Sequence, residues 1–294
     1  MKLPRVLFVT GKGGSGKSTI AAAFALALSR NRAITLADID GRMDAATLLG
    51  VVPREDEPAR SDDSLRAVVL SRRAELHSFI QRIVPVSAIS QRMLRSRTFG
   101  YVTAALPGLE AFLLMERLRI MAGEAALEDR HIVIDAPASG TALELLAVAA
   151  GVKGIAPAGT LNRLAKGIES FLGDPSLFGA IITVTPEELA LREAIDTAKA
   201  LRESIGVEVF AAVLNRTVAP LFGDEDLEHL VKLGAHRRLA QKRADQRRAA
   251  IAAAKRLKAA GVALFELPTL FSAAMGTREV SALARELASG MAAK

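Results

Sequence analysis

Residues Gly11-Lys-Gly-Gly-Ser-Gly-Lys-Ser-Thr19 follow directly on an apolar run, Arg5 to Thr10, and lead into an alanine-rich segment with helical character. A glycine, four residues and then Gly16-Lys17-Ser18 is the pattern of a phosphate-binding loop between a strand and a helix. Each residue type has a physical reason to be there. Gly11, Gly13, Gly14 and Gly16 let backbone amides approach phosphate oxygens with no Cβ in the way, and the amides of Ser15 and Thr19 belong to the same cradle. The helix that follows presents unpaired N–H groups and the positive end of its dipole. Lys17 is expected to neutralise the β- and γ-phosphates of ATP, and the Ser18 hydroxyl to ligate Mg²⁺.

Working outward from this loop, apolar runs that end at polar or turn residues place further strands at Ala33 to Asp38, Leu65 to Leu70, Ile132 to Ala136, Gly179 to Val184, Val209 to Asn215 and Ala263 to Leu267. Helical patterns separate most of them, which predicts a doubly wound α/β fold with a mostly parallel sheet and ligands at the carboxyl ends of the strands. Residues 1–294 read as one domain. The stretch 72–124 holds several helical patterns and no convincing strand, and is expected to be a small inserted helical subdomain.

Several acids fall at predicted strand ends. One carboxylate of the run Asp38, Asp40 and Asp44 is a candidate to polarise an attacking water, with Asp38 and Asp40 both open for that role. A neighbour in that run, Asp38 included, and Asp135 are candidates to hold Mg²⁺ or a water of its shell.

Composition narrows the chemistry. The 294 residues contain no cysteine, which excludes disulfides, thiolate zinc sites and a thiolate arsenite site. The four histidines, His77, His131, His229 and His236, show no zinc-ligand spacing. With neither a charged-then-apolar leader nor an uninterrupted apolar stretch of about 18 residues, a cytoplasmic protein is expected.

The net charge of +7 is local in origin. Nine Lys or Arg between Arg237 and Lys258 face Asp245 alone, which leaves 30 basic and 31 acidic residues in the rest of the chain. Their spread around a helical wheel leaves a narrow apolar stripe through Leu239, Ala250, Ala253 and Leu257, the pattern of a solvated helix docked along one edge. A surface for nucleic acid, anionic membrane lipid or an acidic partner is the alternative, although no aromatic residues interleave with the charges. Val280, Leu283, Leu287 and Met291 form a second docking face near the C-terminus.

The second lysine of the loop, Lys12, narrows the reading. Lys-Gly-Gly-x-Gly-Lys-Ser resembles the deviant phosphate loop of the dimeric ATPases that include ArsA-type proteins, tail-anchored-protein targeting ATPases, MinD, ParA and the nitrogenase iron protein. The segment Asp135-Ala-Pro-Ala-Ser-Gly140-Thr141-Ala-Leu143-Glu-Leu-Leu resembles the second switch of ArsA-type ATPases, with Thr141 where that family has histidine. Pro107-Gly108 and Thr185-Pro186-Glu187 extend the resemblance. It implies a nucleotide sandwich dimer that binds ATP and Mg²⁺, with Lys12 reaching across the interface. It also implies that Asp40 orients water, Asp44 belongs to a switch, Asn215 reads adenine and the loop at Pro268 closes over adenosine. A homodimer is implied, with a heterodimer with a paralogue as the alternative, and the cargo or protein partner is not specified. Only 32 residues separate Leu146 from Gly179, too few for a large methionine-rich client groove.

Overall fold

The computed structural model describes residues 2–39, 41–51, 59–60, 64–71, 75–76, 108–155, 158–218 and 237–292. Strand β1 (Val6–Gly11) is buried along its whole length, as a run of Val, Leu and Phe with no polar alternation requires. It pairs in parallel with β5 (Arg130–Ala138) on one side and β6 (Phe178–Val184) on the other. Outward from β5 lie β2 (Ala33–Asp38), β4 (Leu65–Val69) and the two-residue β3 (Ala59–Arg60), which alone runs antiparallel; outward from β6 lie β7 (Val209–Thr217) and β8 (Leu264–Pro268). The order is therefore β3-β4-β2-β5-β1-β6-β7-β8, an α/β sheet with seven parallel strands. The expected strand limits hold to within two residues; the short β3 has no apolar run to announce it.

Helices cover both faces. On one side, α1 (Lys17–Ser29) is buried over most of its circumference, as its alanine-rich sequence demands, and packs with α2 (Asp44–Leu48) and α8 (Thr277–Ala292). Phe24 of α1 meets Phe265 of β8 edge-on at 5.9 Å. Val280, Leu283 and Leu287 of α8 are buried in this layer, with Met291 half-buried at its margin.

The other side carries α3 (Leu109–Leu127), α4 (Ser139–Ile155), α5 (Gly159–Gly173), α6 (Glu188–Ala200) and α7 (Arg237–Ala259). Most of the expected helical subdomain, residues 72–74 and 77–107, lies outside the described residues. Its end enters α3, whose Phe112, Leu114, Met115 and Leu118 are fully buried in the core of the sheet. These residues line no open groove.

The basic segment is helix α7, docked by Ala240, Ala250, Ala253, Ala254 and Leu257 with most of its Lys and Arg in solvent. Leu239 does not belong to the docking stripe: it is 67% exposed and Ala240 is buried instead. About one turn further on, Arg243 lines an open cleft. Arg256 donates to Glu188 at 2.7 Å and ties α7 to α6.

Candidate functional site

The loop between β1 and α1 sits at the carboxyl ends of the central strands, at the point where the chain crosses from the β2 side of β1 to the β6 side. Two of its glycines are there by necessity. A Cβ on Gly11 (φ +148°) would collide with the carbonyl and hydroxyl of Thr183, and one on Gly16 (φ +95°) would stand 2.5 Å from Asn215 Nδ2. Side chains from two neighbouring strands fix the loop between those points. The Ser15 and Thr183 hydroxyls share a hydrogen bond of 2.5 Å, and Asn215 Nδ2 donates to the Ser15 carbonyl at 2.9 Å. Gly13 and Gly14 stay exposed at the tip.

Adjacent parallel strands bring the acids together. Asp38, the last residue of β2, is the register partner of Asp135, three residues before the end of β5, and both are buried. Asp38 Oδ1 accepts the Gly41 amide at 2.7 Å, which closes the turn after β2. Asp135 accepts a hydrogen bond from Ser18. Burial pushes the Asp135 carboxyl up to about 7; the Ser18 bond and Lys17 oppose this, while the charges of Asp38 and Asp44 add to it. Asp40 lies outside the described residues.

Ser18, Asp38 and Asp135 offer hard oxygen donors beside a phosphate loop, a donor set that suits Mg²⁺ and not a soft metal. A carboxyl lifted toward neutrality chiefly by burial, with the like charges of Asp38 and Asp44 adding to it, is in an electrostatic state that a divalent cation relieves.

Among the described residues, two clefts open at this end of the sheet. One, of about 480 Å³, is lined by the phosphate loop from Gly14 to Thr19 (Ser15 excepted), by Arg42, Asp44, Thr47 and Leu48, and by Arg216. Lys17, Arg42 and Arg216 give it three cationic side chains against Asp44. The other, of about 690 Å³, lies between the Thr185-Pro186-Glu187 turn, the end of β7, the first half of α7 and the loop after β8. Phe271 stands at its edge with the Arg243 guanidinium 4.9 Å above its ring.

Asn215 is buried and holds the phosphate loop, and its Oδ1 accepts the Arg216 amide at 2.9 Å. Pro268 closes β8, and the cleft wall is formed by Thr269 and Phe271 beyond it. The loop is fastened from behind by Glu279, which accepts from Ser272 Oγ at 3.0 Å and from the Gly276 amide at 3.2 Å.

Lys12 points to α6, where its Nζ is 3.7 Å from Glu193 Oε2. Ser139, the first residue of α4, donates to the other oxygen of Glu193 at 2.5 Å. The segment from Asp135 to Leu146 thus runs from β5 into α4 without a break, with Gly140 and Thr141 exposed in the first helical turn. Thr10 Oγ1 donates to the Pro137 carbonyl at 2.8 Å and joins this segment to β1.

The sequence pointed to lysines, glycines and aspartates that, Asp40 aside, the fold brings to one end of the sheet, and assigned no role to Glu193, Thr183 or Arg216. A glutamate on an amphipathic helix and a threonine inside a strand carry no local signal; only the position of Arg216 beside Asn215 pointed toward it.

The family model described as CobQ/CobB/MinD/ParA nucleotide binding domain matches residues 6–225. The chain is 26% identical over 234 residues to ATPase BagA of Mycobacterium tuberculosis, an alignment covering 76% of this chain and 68% of that protein. A Mycobacterium bovis protein named "Putative ATPase Mb3704" aligns with the same identity and coverage. Among the described residues, no helix is long and apolar enough to cross a membrane.

Proposed function

Because the chain belongs to the CobQ/CobB/MinD/ParA family of nucleotide-binding domains, we propose that it is a Mg²⁺-dependent ATPase of the ArsA type that acts as a nucleotide-switched dimer. The observation that carries this reading is the loop bearing both Lys12 and Lys17, seated at the crossover of a parallel sheet with Asp38 and Asp135 paired in register on the adjoining strands. In this reading the triphosphate lies along the loop from Gly13 to Thr19, and Lys17 neutralises its far end. Ser18, Asp38 and Asp135 hold Mg²⁺, which supplies charge neutralisation at the phosphates. Asp40 orients the attacking water, and Lys12 of each protomer meets the phosphates of the other. Loss of the γ-phosphate is relayed through Asp44 and through the Asp135 to Thr141 segment to a protein partner or cargo. The second-switch resemblance, Asp135 through Leu146, supports the ArsA branch within the wider family.

Phosphate release per subunit at saturating Mg-ATP, measured over a wide range of protein concentration, tests this function. A specific rate that climbs and then saturates is expected of a homodimer. A negligible rate throughout, with nucleotide bound, would instead support a weakly hydrolysing subunit that needs a paralogue.

A second reading, a positioning ATPase of the ParA or MinD kind acting on nucleic acid or an anionic membrane, draws on the exposed basic face of α7. It predicts ATP-dependent, salt-sensitive binding to DNA or anionic vesicles that is lost when Arg247 and Arg248 are neutralised. Binding that survives those substitutions excludes α7 as the surface.

A further inference from the structure

We propose that Arg216 reads the phosphate nearest the nucleoside and so joins the two clefts into one nucleotide site. The inference rests on the nucleotide-binding reading above and assigns it a specificity-determining residue. Arg216 lines both the cleft at the phosphate loop and the wider cleft that holds Phe271. A ligand with a base in the wide cleft and a polyphosphate on the loop must pass this side chain between its sugar and its phosphate chain. The planar guanidinium is complementary to phosphate oxygens, which it can meet with two parallel hydrogen bonds.

The backbone supports a functional placement. Arg216 has φ +58°, a left-handed conformation that costs a residue with a Cβ and is seldom kept without cause. It is held there by the bond from its own amide to Asn215 Oδ1, and Asn215 in turn holds the Ser15 carbonyl of the phosphate loop. The strained residue is therefore keyed to the loop by one intervening side chain. The β7–β8 pairing shifts register across the same residues, between Leu214 and Thr217, so the strand gives up its regular ladder where Arg216 turns out.

Charge pairing leaves this cation available. Of the acids lining the wide cleft, Glu188 is engaged by Arg192 and Arg256, and Asp245 by Arg248. Arg243 is stacked on Phe271. Among the described residues the Arg216 side chain makes no ion pair, and none joins it to Glu187 at the same cleft.

The test is binding of AMP, ADP and pyrophosphate to the full chain and to its R216A, R216G and K17A variants, by calorimetry or by displacement of a fluorescent ADP analogue. For R216A, affinities for AMP and ADP are expected to fall by a similar factor of about 10 to 100, as for loss of a charge-assisted hydrogen bond, with pyrophosphate unchanged. K17A should show the opposite preference, losing pyrophosphate and ADP more than AMP. R216G, which relieves the left-handed strain, should lose nucleotide affinity like R216A while the melting temperature of the ligand-free protein does not fall. Unchanged ADP binding in R216A overturns the assignment alone. An equal loss for pyrophosphate, or a fall in both melting temperature and affinity in R216G, also overturns it, because the residue would then serve the loop or the fold. Wild-type protein that binds no adenine nucleotide overturns the nucleotide reading and this assignment with it.

Discussion

Lys12 and Glu193 form an ion pair, Nζ to Oε2 at 3.7 Å, within one chain. The other oxygen of the same carboxylate receives the Ser139 hydroxyl, so one glutamate on α6 holds both the second lysine of the loop and the start of the helix after β5. A lysine held in this way is turned toward its own protomer. If it is to reach a partner's phosphates, this contact must first be released.

The release has a small cost. Both side chains are about one-third exposed, and pairs of that kind contribute about 0–1 kcal/mol. Glu193→Ala should therefore leave the melting temperature nearly unchanged and free Lys12. The protein concentration giving half-maximal ATPase should fall by up to about 30-fold, the factor corresponding to about 2 kcal/mol for the two pairs released in a symmetric dimer. Glu193→Gln keeps an acceptor for Ser139 and should show the same shift. An unchanged concentration profile in both variants would mean that the pair restrains nothing.

Gly16 and Asn215 are coupled by contact, since a Cβ at position 16 would meet Asn215 Nδ2. Gly16→Ala incurs that clash as well as left-handed strain, and should destabilise the fold by about 1–3 kcal/mol. Asn215→Ala leaves the Ser15 carbonyl without its donor and should cost about 1–3 kcal/mol. The double variant should cost less than the two single losses combined, because removing the amide makes room for the methyl group. Strict additivity in denaturant titrations would place the loop farther from β7 than the structure does.

How much of this was legible in the sequence differs from residue to residue. Ala33–Asp38 coincides with its expected strand because an apolar run stops at an acid, and the loop is readable because phosphate chemistry demands its spacing. Leu239 misled because a helical wheel records angle and not which residues of the fold lie against each turn; Leu239 is exposed and Ala240 buried. Glu193 was invisible as a partner of Lys12, since only the parallel sheet brings α6 beside the first loop. The left-handed turn at Arg216 is likewise set by tertiary bonds to Asn215, not by any preference of arginine.

Asp135 should make magnesium binding depend on pH. Its carboxyl is raised from an ordinary value of 3.8 to about 7, so the folded, ligand-free protein holds this proton more tightly than the unfolded chain. The stability contribution is therefore full below about pH 4 and is lost as pH rises through 7, an effect of at most about 4 kcal/mol. Mg²⁺ needs the carboxylate, so its affinity should rise up to tenfold per pH unit toward 7 and level off above it. Calorimetry in buffers of different ionisation enthalpy should detect proton release at pH 6 and little at pH 8. Asp135→Asn should abolish that proton release and stabilise the ligand-free protein at pH 8. A proton count near zero at pH 6 in the wild type would remove Asp135 from the metal site.

The two lysines of the loop should separate binding from turnover. Lys17 opens α1 and lines the cleft at the phosphate loop, whereas Lys12 does not line it and is held by Glu193. Lys17→Ala should abolish binding of a fluorescent ATP analogue. Lys12→Ala should bind the analogue within about threefold of wild type, a difference under 1 kcal/mol, while phosphate release falls by about 10³-fold or more, as for loss of a cation supplied in trans. Mixing Lys12→Ala with an Asp135→Asn protein adds a second test. If Lys12 acts across the interface, the mixed dimer carries one site with intact metal ligands and the other subunit's lysine, and some activity should return. No recovery over a wide range of mixing ratios would confine Lys12 to its own protomer.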